Sequence, residues 1–392
     1  MMKSCIYLLF LIAFVSCSLS PKKEIAVSKL REVDLYADYP MKQLDISQFA
    51  EVVYLPLPKK FGLKDHSYYS DFMGSVSKDY IVSYTLDGDV EVFDNWGRKL
   101  HYFNAKGSNK NEEYIGIKTL LVDDDHQEVW ILDYDNSFKV YSLSGTFKRK
   151  LGIPEPLNVE VVRHWRPDTL LCYDDNRVED GLSKNPTPFY LLSKKTGEVR
   201  MLEEVRVSQR LNNEERLVLN VDGRNYALKF VLSTLPLAVC EDKMVLADYA
   251  TDTVFCYQQG KVYPLFVRKP SVYASLPFKL TSVDFMTSRY LFFSMVEKTS
   301  TKERFQRDFL YNLETQEITR YELKNKDFHP SLTTNVNNFV GNYSSNWFVK
   351  EMSAYKFLQY YREGKLHGKA SEVAKEMRGE YTSVLILYKF HK

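Results

Sequence analysis

The sequence predicts an all-β fold in which a short antiparallel unit of four strands repeats along the chain. Residues 127–151 form the clearest unit, because three β-rich stretches there are separated only by the turn-forming residues Asp135-Asn136-Ser137 and Ser144-Gly145. Residues 80–103 repeat the same order of strands and turns, and weaker copies follow at 169–202, 243–267 and 290–323. An all-strand unit that recurs about every 40–50 residues is the signature of a β-propeller.

The turn residues divide most of the chain into five continuous blades. In each blade the strands are named A to D, from the central channel to the rim. The five blades are predicted at residues 70–104, 117–151, 159–203, 233–267 and 281–323. Residues 206–224 break the rhythm between blades 3 and 4, and they fit either an extended loop or a short strand pair packed on one face.

The sixth blade is predicted to combine the two ends of the chain. Its C-terminal strands are expected at residues 337–343, 346–351 and 383–390. Two polar segments with helical periodicity, 354–362 and 371–378, interrupt this blade. The missing outer strand is residues 51–57, since pairing the first and last segments closes the ring and removes exposed sheet edges. The sequence therefore predicts a six-bladed β-propeller of four-stranded antiparallel blades over residues 44–392.

Residues 1–16 are predicted to be a signal peptide. Lys3 is followed by an apolar run that is too short to span a bilayer as a stable anchor. The run ends in Phe14-Val15-Ser16-Cys17, which resembles the bacterial lipobox, whose cysteine is acylated and becomes the mature N-terminus. An ordinary signal peptide cleaved near Ser16 is the alternative. We therefore expect a lipid on Cys17, a tether and lead-in over residues 17–43, and attachment to the outer membrane of the cell envelope.

Charge and cysteine content narrow the range of partners. The chain has 53 basic and 51 acidic side chains and no basic stripe, which argues against nucleic acid as a partner. We expect a monomer that contacts the membrane through its N-terminal lipid. Cys172, Cys240 and Cys256 lie in apolar strand patterns and are predicted to be buried thiols, with a Cys240–Cys256 disulfide as the alternative.

Several short motifs occur in the order typical of one bacterial family. They lie at residues 52–57, 92–97, 122–133, 140–145 and 384–390. By these motifs the chain resembles the six-bladed β-propeller lipoproteins that are abundant in Bacteroidetes, which implies a lipid-anchored propeller in the cell envelope. Members of that family often carry a glycine-rich loop ending in Glu-Tyr between the first two blades. This chain keeps Gly107, Glu113 and Tyr114 in that loop but lacks the middle glycines.

No constellation of catalytic residues can be recognised in the sequence. The run Asp123-Asp124-Asp125-His126 could bind a metal, but it lies where two strands turn and lacks the glycine and terminal glutamate of a calcium loop. The seven histidines are scattered, and neither a Gly-x-Ser-x-Gly nor a His-Glu-x-x-His motif occurs. We therefore predict no catalytic residue, no metal site and no cofactor.

Candidate ligand contacts fall into two groups. Arg163, His164 and Trp165 lie near the end of the predicted innermost strand of blade 3, where they could contact an anionic or sugar ligand. A structural role for His164 is the alternative.

The second group lies on long loops. The connections between strands B and C at residues 174–187 and 297–307 are much longer than an ordinary hairpin turn, and they emerge on the same face as residues 106–114. We predict binding on this face, with Glu113, Tyr114, Arg177 and Arg304 as contacts; unspecialised surface loops are the alternative.

Two functions fit these observations. The first is a non-catalytic binding module for a protein or glycan partner in the cell envelope. The alternative is a propeller enzyme, such as a lactonase, a lyase or a glycan-cleaving enzyme, with a metal or polar site at the channel mouth. The absence of a catalytic motif favours the first, although the fold alone can host both.

Overall fold

The fold is a ring of six four-stranded antiparallel sheets, so the predicted six-bladed β-propeller is confirmed. The structure, a computed structural model, describes residues 30–58, 72–175, 185–207, 209–211, 213–221, 223–232, 234–274, 276–299, 305–333, 340–342, 347–378 and 381–391. The described residues from Arg31 onward belong to one compact unit.

Three strands precede the first blade, and two blades follow them. The leading strands are β1 (Glu32–Asp34), β2 (Met41–Asp45) and β3 (Ala50–Pro58). Blade 1 consists of β4 (Gly74–Val76), β5 (Tyr80–Tyr84), β6 (Val90–Asp94) and β7 (Lys99–Phe103). Blade 2 consists of β8 (Ile117–Asp123), β9 (Glu128–Asp133), β10 (Ser137–Ser142) and β11 (Phe147–Gly152).

The middle of the chain forms blades 3 and 4 with a hairpin between them. Blade 3 consists of β12 (Val161–Arg166), β13 (Thr169–Tyr173), β14 (Phe189–Ser193) and β15 (Val199–Met201). The hairpin pairs β16 (Glu214–Val221) with β17 (Arg224–Val231). A strand pair was one of the two alternatives for residues 206–224, but its second strand extends beyond that segment to Val231. Blade 4 consists of β18 (Leu237–Cys240), β19 (Lys243–Leu246), β20 (Thr253–Gln258) and β21 (Lys261–Lys269).

The last two blades complete the ring. Blade 5 consists of β22 (Lys279–Met286), β23 (Tyr290–Glu297), β24 (Gln306–Asn312) and β25 (Ile318–Asn325), with the short β26 (Leu332–Thr333) paired to β25. Blade 6 consists of β27 (Val340–Asn342), β28 (Trp347–Ser353), β29 (Tyr381–Phe390) and the N-terminal β3. Because β29 pairs antiparallel with β3 over Ala50–Pro58, the predicted closure by the two chain ends is confirmed.

Two helices interrupt blade 6 between its strands B and C. The first, α1 (Ala354–Arg362), begins and ends where predicted, and the second, α2 (Gly368–Glu376), begins three residues earlier than predicted. The Ser353 hydroxyl caps α1 by accepting a hydrogen bond from the Lys356 amide at 3.3 Å. Neither helix is long and apolar enough to cross a bilayer, and the same holds for every helix in the described ranges.

The core consists of layers between neighbouring blades. Strand β9 shows why, since all six of its residues are buried. Val129 and Ile131 pack against blade 1, whereas the intervening Trp130 and Leu132 pack against blade 3. Successive side chains of a strand point to opposite faces of the sheet, so each inner strand contributes to two layers.

The sequence did not predict that the N-terminal segment would extend two blades. Strand β1 pairs in parallel with β21 at the rim of blade 4, and β2 pairs in parallel with β25 at the rim of blade 5. Both strands therefore cover sheet edges that would otherwise expose unpaired backbone groups. The segment from Glu32 to Asp45 follows the rim of the propeller before β3 closes it, although residues up to 43 were expected to form a tether and lead-in.

Candidate functional site

The two faces of the propeller differ in what connects the strands. Because the strands of a blade are antiparallel, all connections from B to C and from each blade to the next emerge at one end, which we call the long-loop face. The A-to-B and C-to-D turns emerge at the other end, which we call the tight-turn face. The long-loop face carries residues 106–114, the hairpin β16–β17, both helices and the predicted binding loops.

Exposed apolar side chains are concentrated on the long-loop face. Seven large ones lie in its connections: Leu86, Ile115, Tyr134, Tyr273, Leu276, Phe305 and Tyr355. Within the described ranges, the tight-turn face has two, Trp96 and Leu100, and the remaining four lie on outer strands or on the N-terminal segment. Within the described residues, exposed large apolar side chains are therefore more frequent on the long-loop face than on the tight-turn face.

A buried ion pair supports the long-loop face between blades 3 and 4. The Arg210 guanidinium lies 2.9 Å from the Asp248 carboxylate, and both side chains are almost completely buried. Tyr173 also donates a hydrogen bond to Asp248, at 3.1 Å. Burial acts to lower the pKa of Arg210, but the Asp248 charge together with Tyr173 and Asp174 outweighs burial, and the pKa is raised. The arginine therefore stays charged in the protein interior.

Arg210 also ties the two neighbouring loops together. Its guanidinium donates hydrogen bonds to the carbonyl oxygens of Asn185 and Asp174, which lie at the two ends of the predicted binding loop 174–187. Asn185 in turn donates to the Asp174 carboxylate at 2.9 Å. The ends of this loop are thus fixed to the chain that leads into blade 4. Residues 176–184, including Arg177, and residues 300–304, including Arg304, lie outside the described residues, as does Cys17.

The loop at 106–114 is ordered by its own residues. The Glu113 carboxylate accepts a hydrogen bond from the Asn109 amide at 2.9 Å and packs over Gly107, where a Cβ atom would lie 2.0 Å from Glu113 Oε2. Tyr114 is fully buried; its hydroxyl donates to the Gly88 carbonyl at 2.6 Å and accepts from the Ala105 amide at 3.0 Å. Burial raises the pKa of Tyr114 to about 12. Its side chain shapes the loop and presents no surface to a ligand.

Arg163, His164 and Trp165 do not converge on one accessible site. Trp165 is buried against Tyr257, with 5.8 Å between ring centroids, in the layer toward blade 4. Arg163 is half-buried, and its guanidinium donates to the Val162 carbonyl at 2.7 Å. His164 is buried in the opposite layer, toward blade 2. Its burial favours the structural interpretation that the sequence left open.

His164 belongs to a buried polar cluster near the tight-turn face. Burial lowers the pKa of His164 to about 3, and the nearby Lys194 charge adds to this effect, so the imidazole is neutral at physiological pH. Lys194 pairs with Asp123 at 2.7 Å, and His126 Nδ1 lies 3.1 Å from the same carboxylate. Asp124 accepts hydrogen bonds from the Ser77 hydroxyl and the Lys78 amide.

The acidic run 123–125 therefore joins turns and neighbouring blades. Among the residues that the structure describes, no three histidine, cysteine, aspartate or glutamate side chains are grouped as metal ligands. Cys172 and Cys256 are buried free thiols, so the alternative disulfide between Cys240 and Cys256 is not formed.

The comparisons with known proteins support the fold. No protein-family model matches the chain, and no curated protein matches it. A solved structure from Bacteroides fragilis, of a protein inferred to be exported, is similar with a TM-score of 0.55 and 12% identity, covering 90% of this chain and 100% of its own. This likeness shows a shared propeller fold.

Two other solved structures are similar only in outline. BamB from Moraxella catarrhalis has a TM-score of 0.34 and 10% identity, covering 81% of this chain and 84% of its own. Streptogramin B lyase has a TM-score of 0.37 and 12% identity, covering 90% of this chain and 99% of its own. Similarity at this level carries no argument about what this chain binds or catalyses.

Proposed function

We propose that this chain is an exported, lipid-anchored propeller of the cell envelope that binds a protein partner through its long-loop face without catalysing a reaction. The observation that carries the proposal is the concentration of exposed apolar side chains on that face. Three of the seven, Leu86, Ile115 and Leu276, are aliphatic. Aliphatic side chains offer little to a sugar, which prefers aromatic faces and hydrogen-bonding groups, so they favour a protein partner over a glycan.

The apolar side chains at blades 1 and 2 lie on connections that contact each other. The Lys106 ammonium donates a hydrogen bond to the Leu86 carbonyl at 3.4 Å. The Tyr134 ring packs over Gly116, where a Cβ atom would lie 2.8 Å from it, next to the exposed Ile115. Leu86, Ile115 and Tyr134, which we call the blade 1–2 patch, therefore belong to neighbouring loops. Tyrosine is one of the residue types that supply most of the binding energy of a protein interface, so Tyr134 is the expected anchor of this patch.

The connections that carry this patch are held by buried charges. The Asp133 carboxylate accepts hydrogen bonds from the backbone amides of Ile115 and Gly116, each at 3.1 Å. The fully buried Lys139 ammonium lies 3.1 Å from the same carboxylate and 2.8 Å from Asp135. A patch fixed in this way loses little conformational entropy when a partner binds, which favours affinity.

Site-specific photo-crosslinking in the native cell envelope tests the proposed face. A photoreactive amino acid at Ile115 or Tyr134 is expected to give one discrete protein adduct, whereas the same amino acid at Trp96 or Leu100 on the tight-turn face is expected to give none. Equal adducts from both faces, or none from either, would overturn the proposal. Binding of the purified protein to a glycan array, lost on Tyr134→Ser, would identify a glycan partner instead.

The anchoring part of the proposal has a separate test. It is supported by the short apolar run before Cys17 and by the likeness to a protein inferred to be exported. Two or more acyl chains at about 0.8 kcal/mol per buried methylene give stable attachment to a membrane. Cys17→Ala is expected to move the protein from the membrane fraction to the soluble envelope fraction, with Cys172→Ala as the control that stays attached. Retention of Cys17→Ala in the membrane fraction would contradict lipid anchoring.

A further inference from the structure

The tight-turn face contains a cavity of about 410 Å³ between blades 1 and 2. Residues from turns and outer strands of these two blades line it. They include Leu100 and His101 of β7 in blade 1 and, in blade 2, His126 of the A-to-B turn and Ser144 and Lys148 around the C-to-D turn. A volume of this size falls within the range of small-molecule sites, about 300–1,000 Å³. The sequence of the turns on this face did not predict the cavity.

The lining divides into an apolar wall and a set of hydrogen-bond donors. Leu100, Leu143 and the Tyr80 side chain supply the wall. His101, His126, Ser144 and Lys148 supply polar groups, and no aspartate or glutamate is among the lining residues. A wall of this kind opposite a few polar groups is the usual composition of a site for a small organic ligand.

The charge of Lys148 is only partly balanced. The Glu128 carboxylate lies 3.1 Å from the Lys148 ammonium and 2.7 Å from the Arg149 guanidinium, so two cations share one carboxylate. Arg149 also stacks on Trp130, which leaves Lys148 as the cation that faces the cavity. An anion placed there would complete the pairing by a charge-assisted hydrogen bond.

The two histidines differ in how they are held. His126 is oriented by Asp123, 3.1 Å from Nδ1, and by the exposed Asp168, 3.5 Å from Nε2. The His101 imidazole has no hydrogen-bond or ion-pair partner within the described ranges, although His101 lines the cavity. The His101 ring can therefore donate a hydrogen bond to a ligand without losing a bond inside the protein.

We propose that this cavity binds a small organic anion, with its carboxylate or sulfate group at Lys148 and His101 and its carbon skeleton against Leu100 and Leu143. Small carboxylates and sulfates with an apolar ring carry both parts. The cavity lies on the face opposite the proposed protein interface, so this proposal is independent of the proposed function.

Calorimetric titration of the full chain with benzoate, benzyl alcohol and sodium sulfate tests the site. Benzoate is expected to bind at millimolar concentration or below, more tightly than either benzyl alcohol, which lacks the charge, or sulfate, which lacks the ring. Lys148→Gln is expected to weaken benzoate binding by about tenfold or more, because a charge-assisted hydrogen bond is lost. Lys150→Gln is the matched control, since it removes the same charge from the same strand without lining the cavity.

Ser144→Asp is a second variant that does not depend on Lys148. Ser144 is exposed in a turn, so the substitution should preserve the fold while placing a negative charge at the cavity. It is expected to abolish benzoate binding. The proposal would be overturned by an absence of benzoate binding, by equal losses in Lys148→Gln and Lys150→Gln, or by unchanged binding in Ser144→Asp. Sulfate binding as tight as that of benzoate would also overturn it, since the apolar wall would then contribute nothing.

Discussion

The two faces of this propeller are built from the ends of the same strands, yet they are stabilised in different ways. On the long-loop face, buried charged groups hold the connections: Arg210 with Asp248, and Lys139 with Asp133. On the tight-turn face, the buried ion pair between Lys194 and Asp123 joins blades 2 and 3, and short turns with positive backbone φ connect the strands, as at Gly145 with a φ of 87°. Ordering a long connection costs backbone entropy for every residue that is fixed, and the buried hydrogen bonds of Arg210 and Asp133 offset part of this cost. The two faces therefore differ chiefly in the length of their connections.

The largest expected effect is the loss of one such support. Arg210→Met leaves the Asp248 carboxylate buried without its charged partner, so we expect the free energy of unfolding to fall by about 3–5 kcal/mol. Arg206→Met is the control on the same connection, because its pairing with Glu203 is largely exposed and should be worth about 1 kcal/mol or less. Urea unfolding of both variants measures the difference. Similar losses in the two would show that the face does not rest on buried charges.

A second prediction uses pH to compare the faces. The pKa of His164 is lowered from 6.5 to about 3 by burial, so below pH 6.5 the unfolded chain takes up a proton that the folded protein does not. The contribution of the neutral His164 to the free energy of unfolding is complete above pH 6.5 and is lost as the pH falls toward 3. At pH 5 the loss is about 2 kcal/mol.

Removing the imidazole should remove this part of the pH dependence. The free energy of unfolding of His164→Gln is therefore expected to change less between pH 7 and pH 5 than that of the natural sequence. Asp123, Lys194 and His126 surround His164 and remain in the variant. Identical slopes in the two proteins would mean that His164 is accessible to protons in the folded state.

A third prediction concerns the backbone of the tight-turn face. Gly145 combines a φ of 87° with close packing, since a Cβ atom there would lie 2.5 Å from Phe103. Gly145→Ala should therefore lower the free energy of unfolding by about 1–2 kcal/mol. Gly152→Ala is the matched control, because nothing lies within 4 Å of its added Cβ. An equal decrease in Tm for Gly145→Ala and Gly152→Ala would show that the positive φ and close packing at Gly145 do not stabilise the tight-turn face.

The blades could be predicted from the sequence because their signals are local. Period-two burial, as in β25, and turns such as Asn136, with a φ of 58°, follow from residues that are adjacent in the chain. The bounds of α1 were predicted for the same reason. Strands β1 and β2 were missed because three and five residues pairing in parallel with distant strands leave no local pattern.

The candidate site was less predictable because it depends on which distant residues meet. Arg210 and Asp248 are separated in sequence by a whole hairpin and two strands, and only the ring brings them together. Tyr114 and His164 were selected by residue type, but their burial depends on the packing of neighbouring blades. The exposed apolar side chains are ordinary in the sequence, and only their shared face makes them informative. An apolar residue at the tip of a polar turn, such as Leu86, is the signal that could have found them.

The smallest expected effect on stability concerns exposed side chains that serve binding and do not stabilise the fold. Leu86 on the long-loop face and Trp96 on the tight-turn face are about equally exposed, at 67% and 69%. We expect Leu86→Ser and Trp96→Ser each to change the free energy of unfolding by less than about 0.5 kcal/mol, because little of either side chain is buried. Crosslinking from Ile115 should nevertheless weaken only in Leu86→Ser. A loss of stability in Leu86→Ser as large as that in Arg210→Met would show that Leu86 stabilises the fold. An unchanged crosslink in Leu86→Ser would show that Leu86 does not contact the partner. The two faces would then differ only in the length and stabilisation of their connections.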